Sequence, residues 1–281
     1  MNEGLDLSRS RDDRRSINGY KDTLETASMP CYEKIMKIHL SRSICLDVAS
    51  NLIQMHEEAS QAGTSGADLC VFPESFLHGY RRLADAAEIR RQFRAISADH
   101  PRIAFVFGSF TEEHRNRMTV WQEGEERARY DKVHLFGPNG EFDLWEPGNR
   151  YAAVRFKEWT LGLVNCNDIR FPEQARTLRM QAKCDALVAV AWWPWRRNHI
   201  WETLLRARAI ENGVFTIGCC IAGSQHPDES FAGAGNHVFD PIGDPVLTND
   251  DHTYLLDRHR FGKVLIDPLK TCVDIQNVDV F

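Results

Sequence analysis

Short apolar runs alternate with stretches of helical spacing along most of the chain. The runs are four to six residues long and rich in Val, Ile and Phe, as expected of strands that are buried on both faces. They cover residues 69–72, 103–107, 161–164, 187–191 and 214–219. We therefore predict a strand at each of these five positions.

Apolar residues recur every three or four positions between the runs. Leu52, Met55 and Ala59 form one such stripe, and Trp201, Leu205 and Ala209 form another, so each predicts a helix packed on a sheet. Strands and helices that alternate in this way indicate an α/β layered fold. Residues 118–130 break the alternation and predict a hairpin around a turn at Gly124, which favours mixed sheets.

Composition and charge narrow the classes of protein. The chain has 281 residues, 43% of them hydrophobic, which is enough apolar material for a large globular core. The 34 Lys and Arg residues against 40 Asp and Glu residues give a net charge of −6, which argues against a nucleic-acid partner. The longest apolar stretch, residues 186–195, is shorter than the roughly 20 residues of a membrane span, so we predict no membrane partner.

The first residues and the cysteines predict where the protein resides. Residues 1–35 are rich in Arg and Ser but also carry acidic residues and no apolar core, so we expect a disordered leader rather than a targeting peptide. The eight cysteines are scattered without a C-x-x-C pair. A chain of this size does not need disulfides, and the sequence therefore predicts a reducing, cytoplasmic location.

Three groups suited to catalysis each follow an apolar run. Glu74, Lys132 and Cys166 come just after predicted strands, and strand ends in α/β sheets open onto the ligand crevice. We expect the three side chains to converge there. Pro172 predicts the start of a helix whose N-terminus would favour the thiolate of Cys166.

The sequence around these groups resembles the nitrilase, or carbon-nitrogen hydrolase, superfamily. Residues 71–74 (Val-Phe-Pro-Glu), 130–136 (Tyr-Asp-Lys-Val-His-Leu-Phe) and 165–173 (Asn-Cys-Asn-Asp-Ile-Arg-Phe-Pro-Glu) look like its three signature segments in order. Residues 141–148 are similar to the second-glutamate motif, and residues 193–212 are similar to the ω-amidase-like branch. Asn165 and Asn167 depart from the family pattern, which more often has an apolar and an aromatic residue there.

The resemblance implies a fold and an assembly. A single domain over residues 36–281 would form the four-layer α-β-β-α sandwich of the nitrilase type and associate into a homodimer or a larger homo-oligomer. It also implies roles for residues of the site. Glu74 would be the general base and Cys166 the nucleophile, while Lys132 and the backbone N–H of Asn167 would stabilise the oxyanion and Glu141 would orient Lys132.

Further residues complete the predicted site. Arg197 and Trp193 are candidates for contact with the substrate, since a guanidinium binds a carboxylate through two parallel hydrogen bonds. Asp168 and Arg170 are expected to form a structural ion pair that shapes the cysteine turn. We predict no metal and no cofactor, because the histidines are dispersed and no cofactor motif is complete.

The expected reaction is cofactor-independent hydrolysis of a small carboxamide, such as the ω-amide of a 2-oxo acid, through a cysteine thioester that releases ammonia. Water would be the second reactant. A nitrilase, an N-carbamoyl amidohydrolase and an N-acyltransferase of the same superfamily remain alternatives. An inactive homologue that serves as a binding or scaffold protein is an alternative from another class.

Overall fold

Two β-sheets form the centre of the molecule. The computed structural model describes residues 35–80, 85–225, 229–231, 235–248, 250–264 and 267–271. The strands of the larger sheet are β1 (Ile35–Leu40), β3 (Leu69–Val71), β4 (Ala104–Glu112), β5 (Arg115–Gln122), β6 (Glu125–Asp131) and β13 (Thr253–Asp257). The strands of the smaller sheet are β7 (Ala153–Phe156), β8 (Trp159–Asn165), β9 (Ala186–Ala191), β10 (Phe215–Cys220) and β12 (His237–Phe239).

Both sheets are mixed, as predicted. The larger has the order β13-β1-β3-β4-β5-β6 and the smaller the order β12-β10-β9-β8-β7. The central strands β1, β3 and β4 are parallel to one another, as are β8, β9 and β10, while the outer strands pair antiparallel. Two further short strands, β2 (Ile44–Cys45) and β11 (Gly223–Ser224), pair with each other.

The described residues form six α-helices, and four of them cover the outer faces of the sheets. The six are α1 (Val48–Ser65), α2 (Ala86–Asp99), α3 (Glu141–Leu144), α4 (Pro172–Ala182), α5 (Asn198–Asn212) and α6 (Pro268–Thr271). The helix α1 begins after Asp47, whose carboxylate accepts the Ser50 N–H at 3.0 Å, and ends at Gly66 in the left-handed conformation. Contacts join α1 and α2 to the larger sheet and α4 and α5 to the smaller one.

Alternating side chains of each strand pack into two separate cores. In β3, Leu69 and Val71 face the apolar core between the sheets, whereas the intervening Cys70 faces the core beneath the helices. In β9, Val188 and Val190 likewise join the core between the sheets. The layer order is therefore α-β-β-α, which confirms the predicted four-layer sandwich.

The predicted elements agree with the observed ones apart from their ends. Each predicted apolar run contains or overlaps a strand, and β5 and β6 form the predicted hairpin with Gly124 at φ +75°. The predicted leader lies outside the described residues except for Ile35, which begins β1. Among the helices that the structure describes, none combines the length and the apolar character needed to cross a bilayer.

Candidate active site

The candidate site lies at strand ends contributed by both sheets. Glu74 follows β3, Lys132 follows β6 and Cys166 follows β8 directly. These three residues are far apart in sequence, yet their side chains meet in one cluster. Convergence of the predicted groups is therefore observed, and a fourth predicted residue, Glu141 at the start of α3, joins them.

A close approach of two backbones positions Glu74. A Cβ atom on Gly108 would lie 1.9 Å from the carbonyl oxygen of Pro73, so only glycine fits at this point of β4. The register of β4 against β5 shifts at the same place, between Phe107 and Phe110. The neighbouring Ser109 hydroxyl accepts the Ser75 N–H at 3.1 Å.

The carboxylate of Glu74 is fully buried and accepts several hydrogen bonds. Its Oε1 accepts from Lys132 Nζ at 2.7 Å and from Asn116 Nδ2 at 3.0 Å. Its Oε2 accepts from the Trp192 backbone N–H at 2.9 Å and from the Tyr80 hydroxyl at 3.4 Å. These donors fix both oxygens and so define the direction in which Glu74 can exchange a proton.

Lys132 lies between two carboxylates with no exposure to solvent. Its Nζ is 2.7 Å from Glu74 Oε1 and 2.8 Å from Glu141 Oε1, while Glu141 Oε2 accepts the Phe136 N–H at 2.8 Å. Burial alone would lower the pKa of Lys132, but the attraction of the two carboxylates outweighs it and raises that pKa. Lys132 is therefore a fixed cation with one of its three N–H donors left for another acceptor.

Cys166 occupies a strained turn directly after β8. Its φ of +51° is uncommon for a residue with a Cβ, and its S–H donates to the Trp192 carbonyl oxygen at 3.8 Å. Burial, followed by the nearby Glu74, raises the pKa of the thiol well above its usual value. The helix α4 does begin at Pro172, but a 3-10 turn over Cys166–Arg170 intervenes, and the expectation that a helix N-terminus favours the thiolate is wrong.

Asp168 holds the cysteine turn by four hydrogen bonds. It accepts from the Tyr130 hydroxyl at 2.7 Å, from His134 Nδ1 at 2.8 Å and N–H at 2.9 Å, and from the Asn165 N–H at 3.0 Å. The predicted ion pair between Asp168 and Arg170 is wrong. Since donors of Tyr130, His134 and Asn165 already occupy the Asp168 carboxylate, Arg170 turns away from it and packs instead over Trp193.

A narrow cavity of about 10 Å³, roughly the room of one water molecule, lies in front of Cys166. Its lining combines aromatic rings with polar and cationic side chains: Tyr80, Phe136, Asn139, Asn167, Arg170, Trp192, Trp193 and Arg197. The guanidinium carbon of Arg170 lies 4.7 Å from the Trp193 ring centre, and that of Arg197 lies 5.6 Å from the Phe136 ring centre. The predicted substrate contacts Arg197 and Trp193 therefore face the same space as Cys166.

The two arginines of the cavity keep their charge without an acidic partner. Within the described part of the chain, neither Arg170 nor Arg197 forms an ion pair, and Arg170 Nε is buried with no hydrogen-bond partner. Burial, and to a lesser extent the adjacent Arg197, lowers the pKa of Arg170, yet a guanidinium stays protonated in a protein. The cavity is thus positively charged and suited to an anion.

Asn167, which the sequence analysis also assigned to the site, follows Cys166 directly. Its side-chain amide donates to the backbone oxygens of His134 at 3.1 Å and Leu135 at 3.3 Å. These bonds hold the turn that carries the Asn167 backbone N–H. The sequence did not identify three neighbours that donate hydrogen bonds to Glu74, namely Tyr80, Asn116 and Trp192. Trp192 follows β9, so the strand-end rule would have identified it, whereas Asn116 lies near the start of β5 in a segment without a local signal.

The fold and the site together define a hydrolase of carbon-nitrogen bonds. The chain belongs to the carbon-nitrogen hydrolase family, whose model matches residues 40–256. It is accordingly an enzyme of the amidase type, and the predicted resemblance to the nitrilase superfamily and its ω-amidases is confirmed.

Individual relatives agree with this assignment. The chain is 30% identical to the omega-amidase YafV of Escherichia coli K12 over 74% of this chain and 82% of the relative. It is 33% identical to the 2-oxoglutaramate amidase of Paenarthrobacter nicotinovorans over 69% of this chain and 72% of the relative. Nit3 of Saccharomyces cerevisiae, a member of the nitrilase superfamily, shares the fold with a TM-score of 0.72 at 21% identity, covering 82% of this chain and 93% of Nit3.

Proposed function

We propose that the protein hydrolyses the terminal amide of a small carboxylic acid and releases ammonia, with a thioester of Cys166 as the intermediate. The observation that carries this proposal is the position of Cys166 between two environments. Cationic Arg170 and Arg197 line the cavity in front of the thiol, while Glu74 and Lys132 lie buried behind it. An anionic amide would bind with its carboxylate at the arginines and its carbonyl carbon at the sulfur.

The first step forms the thioester. The thiol of Cys166 is protonated at neutral pH because its pKa is raised, so Glu74 takes the proton as the sulfur attacks the amide carbonyl. The carbon-sulfur bond forms, and the carbonyl electrons move onto oxygen. When the carbon-nitrogen bond breaks, the nitrogen takes the proton from Glu74 and leaves as ammonia.

Two donors would stabilise the negative oxygen of the tetrahedral intermediate. Lys132 commits two N–H bonds to Glu74 and Glu141, which leaves its third N–H donor for the oxyanion. The backbone N–H of Asn167, in the first turn after the nucleophile, is the second donor. A donor of this kind typically contributes roughly 3–4 kcal/mol of transition-state stabilisation.

Water completes the cycle. Glu74 takes a proton from a water molecule that attacks the thioester carbon, and the proton then returns to the sulfur as the carbon-sulfur bond breaks. The products are the free carboxylic acid and the regenerated thiol. The names of the relatives, an omega-amidase and a 2-oxoglutaramate amidase, support a 2-oxo acid ω-amide as the substrate.

Ammonia release from a panel of compounds tests this function. The panel contains 2-oxoglutaramate, 2-oxosuccinamate, deaminated glutathione, asparagine, glutamine and simple nitriles. We expect turnover of the 2-oxo acid amides by the wild-type protein and none by Cys166→Ala. The matched control is Cys184→Ala, which removes a buried thiol that does not line the cavity. Full turnover by Cys166→Ala would disprove the thioester mechanism, and preference for a nitrile over its matching amide would indicate a nitrilase.

A further inference from the structure

Two histidines and a glutamate from three separate elements meet outside the active site. His39 lies in β1, Glu58 lies in α1, and His252 immediately precedes β13. Antiparallel pairing of β1 with β13 brings the histidines together, since the Leu40 N–H donates to the His252 carbonyl oxygen at 2.8 Å. None of these residues contributes to the candidate active site.

The three side chains present their ligand atoms to one another. His39 Nε2 is 2.7 Å from Glu58 Oε2, and His252 Nδ1 is 3.9 Å from the same oxygen. The three atoms all lie within 4.8 Å of one another. The distance from His252 Nδ1 to the carboxylate is too long for a hydrogen bond, and this buried nitrogen has no hydrogen-bond partner.

The carboxylate of Glu58 is largely buried, and each of its oxygens contacts a neighbouring group. Its Oε1 accepts the Arg42 backbone N–H at 3.0 Å, and its Oε2 lies 2.7 Å from His39 Nε2. Neither a lysine nor an arginine side chain pairs with Glu58 among the described residues. The side-chain partners of Glu58 in the described residues are therefore imidazoles, and buried carboxylates in proteins are either paired or bound to a metal.

We propose that His39, Glu58 and His252 bind a divalent transition-metal ion, with Zn²⁺ as the preferred ion. Two imidazole nitrogens and one carboxylate oxygen are a common set for zinc, and the harder Mg²⁺ and Ca²⁺ would select more oxygen ligands. The proposal concerns a structural ion and does not depend on the proposed amidase reaction.

Small side-chain movements would complete the site. Bonds of about 2.1 Å in a tetrahedral site place the ligand atoms about 3.4 Å apart. The contact between His39 and Glu58 must therefore open slightly, and His252 must approach. The two imidazole rings are now nearly parallel, with 12° between their planes, so one of them must turn. His252 is the ring that turns, because its side chain is 27% exposed while that of His39 is buried, and water on its exposed side supplies the fourth ligand.

Binding would join β1, α1 and β13 through one ion. A ligand that binds only the folded state stabilises it according to its free concentration, so the metal raises the Tm. At a free concentration of about a hundred times Kd, we expect a rise of roughly 5–10 °C. This readout is independent of catalysis.

The experiment titrates Zn²⁺ and Co²⁺ into chelator-treated, reduced protein by calorimetry and optical absorption. A Cys166→Ala background removes the thiol of the active site as a competing ligand. We expect one site per chain, a Co²⁺ spectrum of nitrogen and oxygen coordination, and a rise in Tm. His39→Gln and His252→Gln should each weaken Zn²⁺ binding at least about tenfold. Loss of a residue that only supports a metal ligand already costs about 10- to 100-fold in affinity.

The matched control is His199→Gln, which removes an exposed histidine of α5 and should leave metal affinity and the rise in Tm unchanged. His252→Gln is the decisive variant, because its part-exposed position allows the fold to persist if His39→Gln unfolds. The proposal is overturned if the protein binds neither ion, or if His252→Gln binds as tightly as its parent. A Co²⁺ spectrum of sulfur coordination would also overturn it, because it would assign the ion to cysteines.

Discussion

The ammonium of Lys132 lies 2.7 Å from the carboxylate of Glu74, and both side chains are fully buried. Each charge therefore depends on the other, because an unpaired ion at this depth would be strongly unfavourable. Lys132 and Asn116 both bind Oε1, whereas Oε2 accepts from the Trp192 N–H at 2.9 Å and only at 3.4 Å from the Tyr80 hydroxyl, so Oε2 is the oxygen that we propose to take the proton. One carboxylate can in this way anchor a cation and act as a base.

Replacement of Glu74 by Gln should leave the protein folded and slow acylation about 10²- to 10⁴-fold, because the amide cannot accept the thiol proton. Single-turnover ammonia release measures this step, and circular dichroism checks the fold. Glu158→Gln is the control, since Glu158 is an exposed residue in the turn between β7 and β8. An unchanged rate of acylation in Glu74→Gln would show that another group is the base.

Arg197→Met should weaken binding of an anionic amide and spare a neutral amide of equal size. A hydrogen bond to a charged group contributes about 1.5–3 kcal/mol, which corresponds to a roughly 10- to 100-fold higher KM. Steady-state kinetics on both amides measures the difference. Arg196→Met is the neighbouring control, because Arg196 is exposed and does not line the cavity. Equal losses for both amides would mean that Arg197 does not recognise the carboxylate.

A chain of hydrogen bonds links Glu74, the proposed base, to Asn165, the residue before the proposed nucleophile. The Asn165 amide donates to Asn116 Oδ1 at 3.2 Å, and Asn116 Nδ2 donates to Glu74 at 3.0 Å. Asn165 thereby fixes the orientation of the Asn116 amide that presents an N–H to the base.

Asn165→Asp should reverse this orientation and place a second carboxylate near Glu74. We expect kcat/KM to fall about tenfold or more and its acidic limb to move to higher pH, because a nearby negative charge raises the pKa of a carboxylate. A pH-rate profile measures both effects. Asn212→Asp controls for the burial of a new charge, since Asn212 is equally buried in α5. If the acidic limb of the pH-rate profile does not move, Asn165 does not influence the proposed proton transfer to Glu74.

Alkaline pH should destabilise the protein through its buried thiols. Burial raises the pKa of Cys184 to about 12, whereas an unfolded thiol titrates near 8.5. Between these values the unfolded state releases a proton that the folded state keeps, so this thiol's contribution is intact below pH of about 8.5 and is lost as pH rises toward 12.

The free energy of unfolding of the wild type should fall with pH above pH 9, and Cys184→Ala should make this slope shallower. The difference is about one proton, or roughly 1.4 kcal/mol per pH unit. Urea unfolding under reducing conditions between about pH 8 and 10.5 measures the slope. The cavity left by the substitution lowers stability equally at every pH and does not affect the comparison. A slope equal to that of the wild type would contradict burial of a protonated thiol.

Local sequence was sufficient for most of the elements because hydrophobic periodicity is a local property. The runs at residues 187–191 and 214–219 identified strands of the smaller sheet, and Pro172 identified the start of α4. The position of the candidate catalytic side chains after strands also predicted that Glu74 and Cys166 would lie in one site. The ion pair of Asp168 with Arg170 was wrong because adjacency in sequence does not determine which way two side chains turn.

The sequence by itself determined the layered α/β fold, the family and the identity of the residues gathered at the strand ends, because those features follow from apolar spacing and from contiguous motifs. The tertiary structure alone decided which atoms meet. The bond from the Trp192 N–H to Glu74 spans 118 residues, and His39 meets Glu58 and His252 only where β1, α1 and β13 pack together. Such contacts depend on the relative positions of distant elements, which close packing of the whole core fixes and no local pattern encodes.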